Sequence, residues 1–102
     1  MGLPAETTIT WYGHACCEIR TPGGRTILIE PLNFRDAPGY FLSRLEQAAD
    51  IIAAVSRPNV KVMFDCYHLQ IMGGDLIRRY ERYRDIVGHV QIAAVPSRAE
   101  PD

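Results

Sequence analysis

A chain of 102 residues, 47% apolar and 23% charged, has the composition of one ordinary globular domain and is too short for two. Its formal net charge of −1 gives no electrostatic reason to expect a nucleic-acid partner or an anionic membrane surface. No apolar stretch approaches the ~20 residues that a membrane span needs, and Met1-Gly2-Leu3-Pro4-Ala5-Glu6 has neither a basic n-region nor an apolar h-region, so no signal peptide is expected.

Thr7 to Tyr12 and Ala15 to Arg20 are rich in β-formers, with Gly13-His14 as a tight break between them. Thr21-Pro22-Gly23-Gly24 reads as a type II turn, with Pro at its second position and Gly at its third. Arg25 to Glu30 reads as a third strand, so residues 7–30 form an antiparallel meander. After Pro31 the period changes. Phe41, Leu45, Ala48, Ile52 and Val55 lie on one helical stripe, which Pro58 stops. Val60 to Asp65 is a strand again. Asp75 is a candidate N-cap for a helix whose stripe is Leu76, Tyr80, Tyr83 and Val87, and Gly88 suits the position past its end. His89 to Val95 is the last strand, and residues 96–102 form a polar tail expected to fray.

The expected fold is therefore α/β and a single domain over residues 1–102. An N-terminal antiparallel β-hairpin extends a short parallel β-α-β-α-β sheet over residues 26–95, with two helices on one face. Strand parity sorts the side chains. Ile27, Ile29, Val60, Val62, Phe64, Val90 and Ile92 share the face under the helices. Leu28, Glu30, Lys61, Met63, Asp65, His89 and Gln91 share the other, mostly polar face. That second face is either the solvated side of a two-layer sandwich or the lumen of a partial (β/α) barrel, since parallel sheets are usually covered on both sides. Parity alone leaves both open.

Glu30, Asp65 and Gln91 close three successive strands, at the edge where parallel α/β sheets build their sites. Smaller signals read as structural. His14 is a turn histidine, and Cys66 is a small buried hydrophobe on the helix side. In Arg78-Arg79-Tyr80-Glu81-Arg82-Tyr83-Arg84 the tyrosines take the buried stripe and the arginines the solvated one. His89 suits a hydrogen-bonded structural role or a substrate contact equally. Cys16, Cys17 and Cys66 have no CxxC spacing, and the adjacent pair points to opposite faces. No disulfide framework is expected, and a reducing, cytoplasmic location is the simplest setting.

From about Thr26 to Pro101 the sequence resembles the hydroxypyruvate isomerase family of xylose-isomerase-like TIM barrels. The resemblance rests on Ile27-Leu28-Ile29-Glu30-Pro31-Leu32-Asn33 with Arg35-Asp36, and on Pro38-Gly39-Tyr40-Phe41-Leu42. It continues through Asp65-Cys66-Tyr67-His68-Leu69-Gln70-Ile71-Met72 with Gly74-Asp75-Leu76, and through His89-Val90-Gln91-Ile92-Ala93 with Val95-Pro96, Arg98 and Glu100-Pro101. It implies a divalent metal, Mg²⁺ or Mn²⁺, held by Glu30, Asp65 and Gln91. Glu30 would also be a catalytic acid/base, and His68 and Arg98 would bind a small oxo-acid substrate. The implied reaction interconverts hydroxypyruvate and tartronate semialdehyde, or related oxo-acids. A second glutamate, the family's fourth metal ligand, has no counterpart in this sequence, and Ala94, Ser97 and Ala99 stand where Asp, Gly and His are expected. With three of eight barrel strands recognisable, the resemblance implies a site that is weak or inactive in a monomer.

Residues 9–31 also resemble the opening meander of metallo-β-lactamase-fold hydrolases, through Ile9-Thr10-Trp11-Tyr12-Gly13-His14-Ala15 and Thr21-Pro22-Gly23-Gly24-Arg25-Thr26-Ile27-Leu28-Ile29. That family's His-x-His-x-Asp-His motif is absent. The two resemblances overlap at Thr26 to Pro31, the pattern of a chimera joined at a shared strand. The alternative to an isomerase is a non-catalytic module that self-associates into a homo-oligomer through its open sheet face.

Overall fold

The protein is described here by a computed structural model, which covers residues 6–12 and 16–101. The turn at Gly13-His14 lies outside these residues. Within them, β1 (Thr8–Trp11), β2 (Cys16–Thr21), β3 (Gly24–Ile29), β4 (Val60–Asp65) and β5 (Val87–Gln91) form one sheet in the order β1-β2-β3-β4-β5. β1, β2 and β3 pair antiparallel, whereas β3, β4 and β5 pair parallel. The α/β fold expected from the sequence is the one observed, with α1 (Leu45–Val55) connecting β3 to β4.

Two further helices connect β4 to β5: α2 (Cys66–Ile71) and α3 (Leu76–Tyr83), followed by a 3₁₀ turn at Arg84–Ile86. The sequence pattern leaves 66–74 without an element, because six residues show less than two turns of periodicity. A local cap makes this helix. The Asp65 carboxylate accepts a hydrogen bond from the Tyr67 amide at 2.9 Å, so the strand passes straight into α2.

The core lies between the helices and one face of the sheet. Leu42, Leu45, Ala48, Ile52, Val62, Phe64 and Leu69 are buried together, with Ile29, Val60, Leu76, Tyr83 and Val87 packed around them. Phe41 and Val55, expected on the α1 stripe, are exposed. α1 starts only at Leu45 because Gln47 ties the preceding loop. It accepts from the Ser43 amide at 3.2 Å and donates to the Phe41 carbonyl at 2.9 Å. The helix ends as Ser56 turns left-handed (φ 54°), two residues before Pro58.

Four local expectations fail for identifiable reasons. Gly23 does not take the positive φ of a type II turn. Its amide donates to Thr21 Oγ1 at 3.2 Å, and the positive φ moves to Gly24 (138°). Asp75 occupies the N-cap of α3 but is itself left-handed (φ 51°) and makes no side-chain cap. Arg79 is not solvated: it donates to the Leu69 and Gly74 carbonyls at 3.4 and 3.3 Å and pairs with Glu46 at 3.2 Å, joining α3 to α1 and α2. The polar tail is folded back as a turn, closed by Ala94 N–H donating to the Ala99 carbonyl at 2.9 Å and Arg98 N–H to the Ala94 carbonyl at 2.7 Å.

Gly88 belongs to β5 and is not a helix terminus. Val62 pairs with Val87 and Met63 with His89, so Gly88 is the extra residue of a β-bulge. The bulge resets the parity of β5, and Gln91 pairs with Asp65 instead of facing the helices. Glycine is required there because a Cβ would stand 2.7 Å from Lys61 Cβ and 2.8 Å from Leu28 Cδ2.

Candidate active site

Glu30 directly follows β3, Asp65 ends β4 and Gln91 ends β5, so the three parallel strands deliver one polar side chain each to the same sheet edge. Backbone hydrogen bonds fix the strand ends, so little conformational freedom remains to be lost when these groups act together. The Gln91 amide is the bridge. With its nitrogen inward it donates to Glu30 Oε2 at 3.2 Å and Asp65 Oδ2 at 3.1 Å. With its oxygen inward it adds a third oxygen to the two carboxyl groups, an arrangement that a bound cation would stabilise.

The electrostatics match this crowding. Burial, then the hydrogen bond and charge of Asp65, push the Glu30 carboxyl up to about 8, against the opposing pull of Arg98. Glu30 is thus a carboxyl that holds a proton near neutrality unless a positive charge replaces it. Glu30, Asp65 and His68 also offer ligand atoms within 4.8 Å of one another, the cluster of this kind among the described residues. The donor set of Glu30, Asp65 and the Gln91 oxygen is hard and oxygen-rich, which fits Mg²⁺ or Mn²⁺ better than zinc.

His68 and Arg98 flank the carboxylates. His68 projects from α2, fully buried, with Nε2 at 3.8 Å from Asp65 Oδ2. Burial lowers its pKa and Arg98 adds to this, while Asp65 and Asp36 oppose. Arg98 is left-handed (φ 58°) in the turn after β5, and that turn returns its guanidinium to the site. The guanidinium stacks over the Tyr67 ring at 4.9 Å and lies 3.8 Å from Asp36 and 3.4 Å from His68 Nε2. All five residues that the sequence marked, Glu30, His68, Asp65, Gln91 and Arg98, therefore meet in one place.

The sequence reading gave no role to Asn33, Asp36 or Tyr67. Tyr67 donates its hydroxyl to Asp36 Oδ2 at 2.6 Å, and Asn33 Nδ2 donates to the same oxygen at 3.2 Å. These donors hold the Asp36 carboxyl below the usual carboxylate range, and the same contact raises the Tyr67 hydroxyl. The available signal was Asn33 two residues ahead of Arg35, the spacing of an Asx turn, in which the Arg35 amide donates to Asn33 Oδ1 at 3.1 Å. Elsewhere, Cys66 is a half-buried thiol pushed up by burial and then by Asp65, as a small hydrophobe on the core side should be. His89 is exposed.

The sequence model of the xylose isomerase-like TIM barrel family matches residues 14–102, and the chain belongs to that family. That match includes β2 and β3. The 2-oxo-tetronate isomerase of Cupriavidus necator is 52% identical over 79 residues, which is 78% of this chain and 30% of that protein. The hydroxypyruvate isomerase of Escherichia coli K12 is 43% identical over 75 residues, covering 74% of this chain and 29% of that protein. A crystal structure titled AP endonuclease, family 2, from Brucella melitensis aligns with a TM-score of 0.76 at 52% identity, over 79% of this chain and 31% of that one. The relatives bear out the resemblance to hydroxypyruvate isomerases, and the fold is a partial TIM barrel. The chain spans about three-tenths of the length of the curated relatives it matches. Among the described residues no helix is long and apolar enough to cross a membrane.

Proposed function

We propose that this chain carries the metal-holding part of an isomerase site, acting on a small oxo-acid such as hydroxypyruvate or 2-oxo-tetronate. One observation supports this most strongly: Glu30, Asp65 and Gln91 converge from three adjacent parallel strands, with Gln91 about 3 Å from both carboxylates. Glu30, Asp65 and the Gln91 oxygen would hold Mg²⁺ or Mn²⁺. When bound, the cation polarises the substrate carbonyl and stabilises negative charge on its oxygen.

The remaining chemistry belongs to the side chains. In hydroxypyruvate, Glu30 as carboxylate takes a proton from C3. The C–H electron pair forms a C2–C3 double bond, and the former C2 carbonyl pair moves onto its oxygen. Return of that proton to C2, with transfer of the C3 hydroxyl proton to the C2 oxygen, leaves the C3 aldehyde and C2 hydroxyl of tartronate semialdehyde. Atoms and electrons balance without a redox partner. The cation would replace the proton that burial and Asp65 otherwise keep on Glu30, and so leave the carboxylate that takes the C3 proton. Arg98, exposed on one side and braced on Tyr67, is suited to the substrate carboxylate. The second glutamate implied by the resemblance has no counterpart in this sequence, so turnover by the chain alone is expected to be weak.

The test is conversion of hydroxypyruvate to tartronate semialdehyde by the purified chain with Mg²⁺ or Mn²⁺, beside Glu30→Gln. Metal-dependent turnover that the variant loses supports the reading. Wild-type turnover no higher than the variant's overturns it. A second reading, self-association with another copy, is favoured by β5: it is an edge strand, and its Val90 and the following Ile92 are exposed. Sedimentation across a concentration series tests it, and a chain that stays monomeric throughout rejects it.

A further inference from the structure

The cluster of Glu30, Asp65 and His68 leaves one question of chemistry open: whether His68 offers a lone pair to a cation or a proton to a substrate. The answer lies on the far side of the ring. Asn33, fully buried, accepts with Oδ1 from the Arg35 amide at 3.1 Å and the Asp36 amide at 2.9 Å. Two backbone N–H groups on one atom fix that atom as the amide oxygen, so the other end of the Asn33 side chain is NH₂. That NH₂ lies 2.8 Å from His68 Nδ1 and also donates to Asp36 Oδ2 at 3.2 Å. The Asn33 backbone N–H, which can only donate, points at the same Nδ1 from 3.1 Å. Both neighbours of Nδ1 are donors, so Nδ1 is an acceptor and the proton of the neutral ring sits on Nε2.

We infer that Asn33 is a positioning residue that locks His68 as the Nε2–H tautomer, removing His68 from the metal-ligand set and aiming it as a donor at a substrate oxygen. The backbone amides of Arg35 and Asp36 set the orientation of the whole chain of bonds. It also reinterprets the 3.4 Å contact between His68 Nε2 and Arg98 Nη2. With Nε2 protonated, this is not a hydrogen bond but two donors side by side. Such a pair matches an oxygen acceptor lying between them, of the kind found on a carbonyl, a hydroxyl or a carboxylate. Asp65 Oδ2, at 3.8 Å from Nε2, is too far to serve as that acceptor. The metal would then be held by oxygens alone, in keeping with Mg²⁺ or Mn²⁺. The substrate role rests on the isomerase reading; the tautomer does not.

The experiment is long-range ¹H–¹⁵N correlation NMR of the ¹⁵N-labelled chain, without metal or substrate, on wild type and on Asn33→Asp. In the wild type His68 should show a pyrrole-type Nε2 and a pyridine-type Nδ1. In Asn33→Asp a carboxylate oxygen replaces the NH₂ and opposes the backbone N–H that still faces Nδ1, so the Nδ1 signal should leave the pyridine-type position for a tautomeric average, with the exposed His89 unchanged as an internal reference. A wild-type ring protonated on Nδ1, or averaging between tautomers, overturns the inference whether or not the variant folds. A folded variant whose His68 matches wild type overturns the role of Asn33. Neither readout involves turnover, so an inactive chain refutes the isomerase reading while leaving this inference standing, and a wrong tautomer does the reverse.

Discussion

Every residue of β1 is exposed, whereas β4 buries Val62, Phe64 and Asp65. Both strands belong to the same sheet, and both are fully laddered to a neighbour. The difference is what lies on their faces. α1, α2 and α3 cover β4, and its side chains interdigitate with Leu45, Ala48 and Leu69. β1 pairs with β2 alone, at the far edge from the helices. Hydrogen-bond ladders set where strands go, but with net worth near 1 kcal/mol per bond they stabilise little without apolar burial. The parallel half is also the half that carries all of the candidate site, and none of its groups comes from β1 or β2. Chemistry that needs fixed distances sits where packing fixes them.

The sharpest way to break this contrast is to hollow out the supported half. Phe64 is 2% exposed and meets Tyr80 edge-on with ring centroids 5.5 Å apart. Phe64→Ala should cost about 3–5 kcal/mol, read as a lower urea midpoint. A loss under about 1 kcal/mol would mean that the core is not what holds β4.

Gly88→Ala comes next and attacks the register rather than the packing. The added methyl needs space that Lys61 Cβ and Leu28 Cδ2 already fill, at 2.7 and 2.8 Å. Overpacking of that kind costs about 1–3 kcal/mol. If the bulge slides to relieve it, Gln91 leaves Asp65 and any metal affinity should fall with it. An alanine variant that keeps both stability and metal affinity would show that β5 tolerates another register.

These two positions also show what was legible beforehand. The bounds of β4 follow from its β-branched run, and parity alone put Glu30, Asp65 and Gln91 on one face. The bulge could not be read from β5 by itself, because it is a two-against-one relation with β4. Without it the same parity argument would have turned Gln91 toward the helices. α2 was missed for its length, and Arg79 because a charged side chain on a short helix is read as solvated until the neighbouring carbonyls of Leu69 and Gly74 are known. The Asn33–His68 contact spans 35 residues and belongs to the fold, not to any local motif.

A smaller effect concerns the site's own cost to the supported half. The folded state holds the Glu30 proton up to about pH 8, while the ordinary value is 4.5, so the native protein binds more protons than the unfolded chain between those values. Stability from this group is therefore fully present below about pH 4.5 and is lost as pH rises toward 8. Denaturant midpoints of wild type should fall between pH 5 and pH 8 by more than those of Glu30→Gln, which has no such proton to lose. Saturating Mg²⁺ at pH 8 should restore the wild type, because a cation that binds only the folded site adds its binding free energy. Parallel pH profiles for the two proteins would remove the carboxyl crowding from the account.

The smallest effect tests the unsupported half. Ile9 pairs with Ile19 across the β1–β2 ladder but is 63% exposed, so Ile9→Ala removes little buried surface. Its cost should stay within about 0.5 kcal/mol, an order of magnitude below the Phe64 effect despite the similar chemistry of the deletion. Hydrogen exchange sharpens the point, since it reads each strand separately. Amides of β1 should exchange through local fraying, whereas those of β4 should exchange only with global unfolding. Equal protection in the two strands would require a partner on the outer hairpin, and the contrast between the halves would then describe an isolated chain rather than the protein in its assembly.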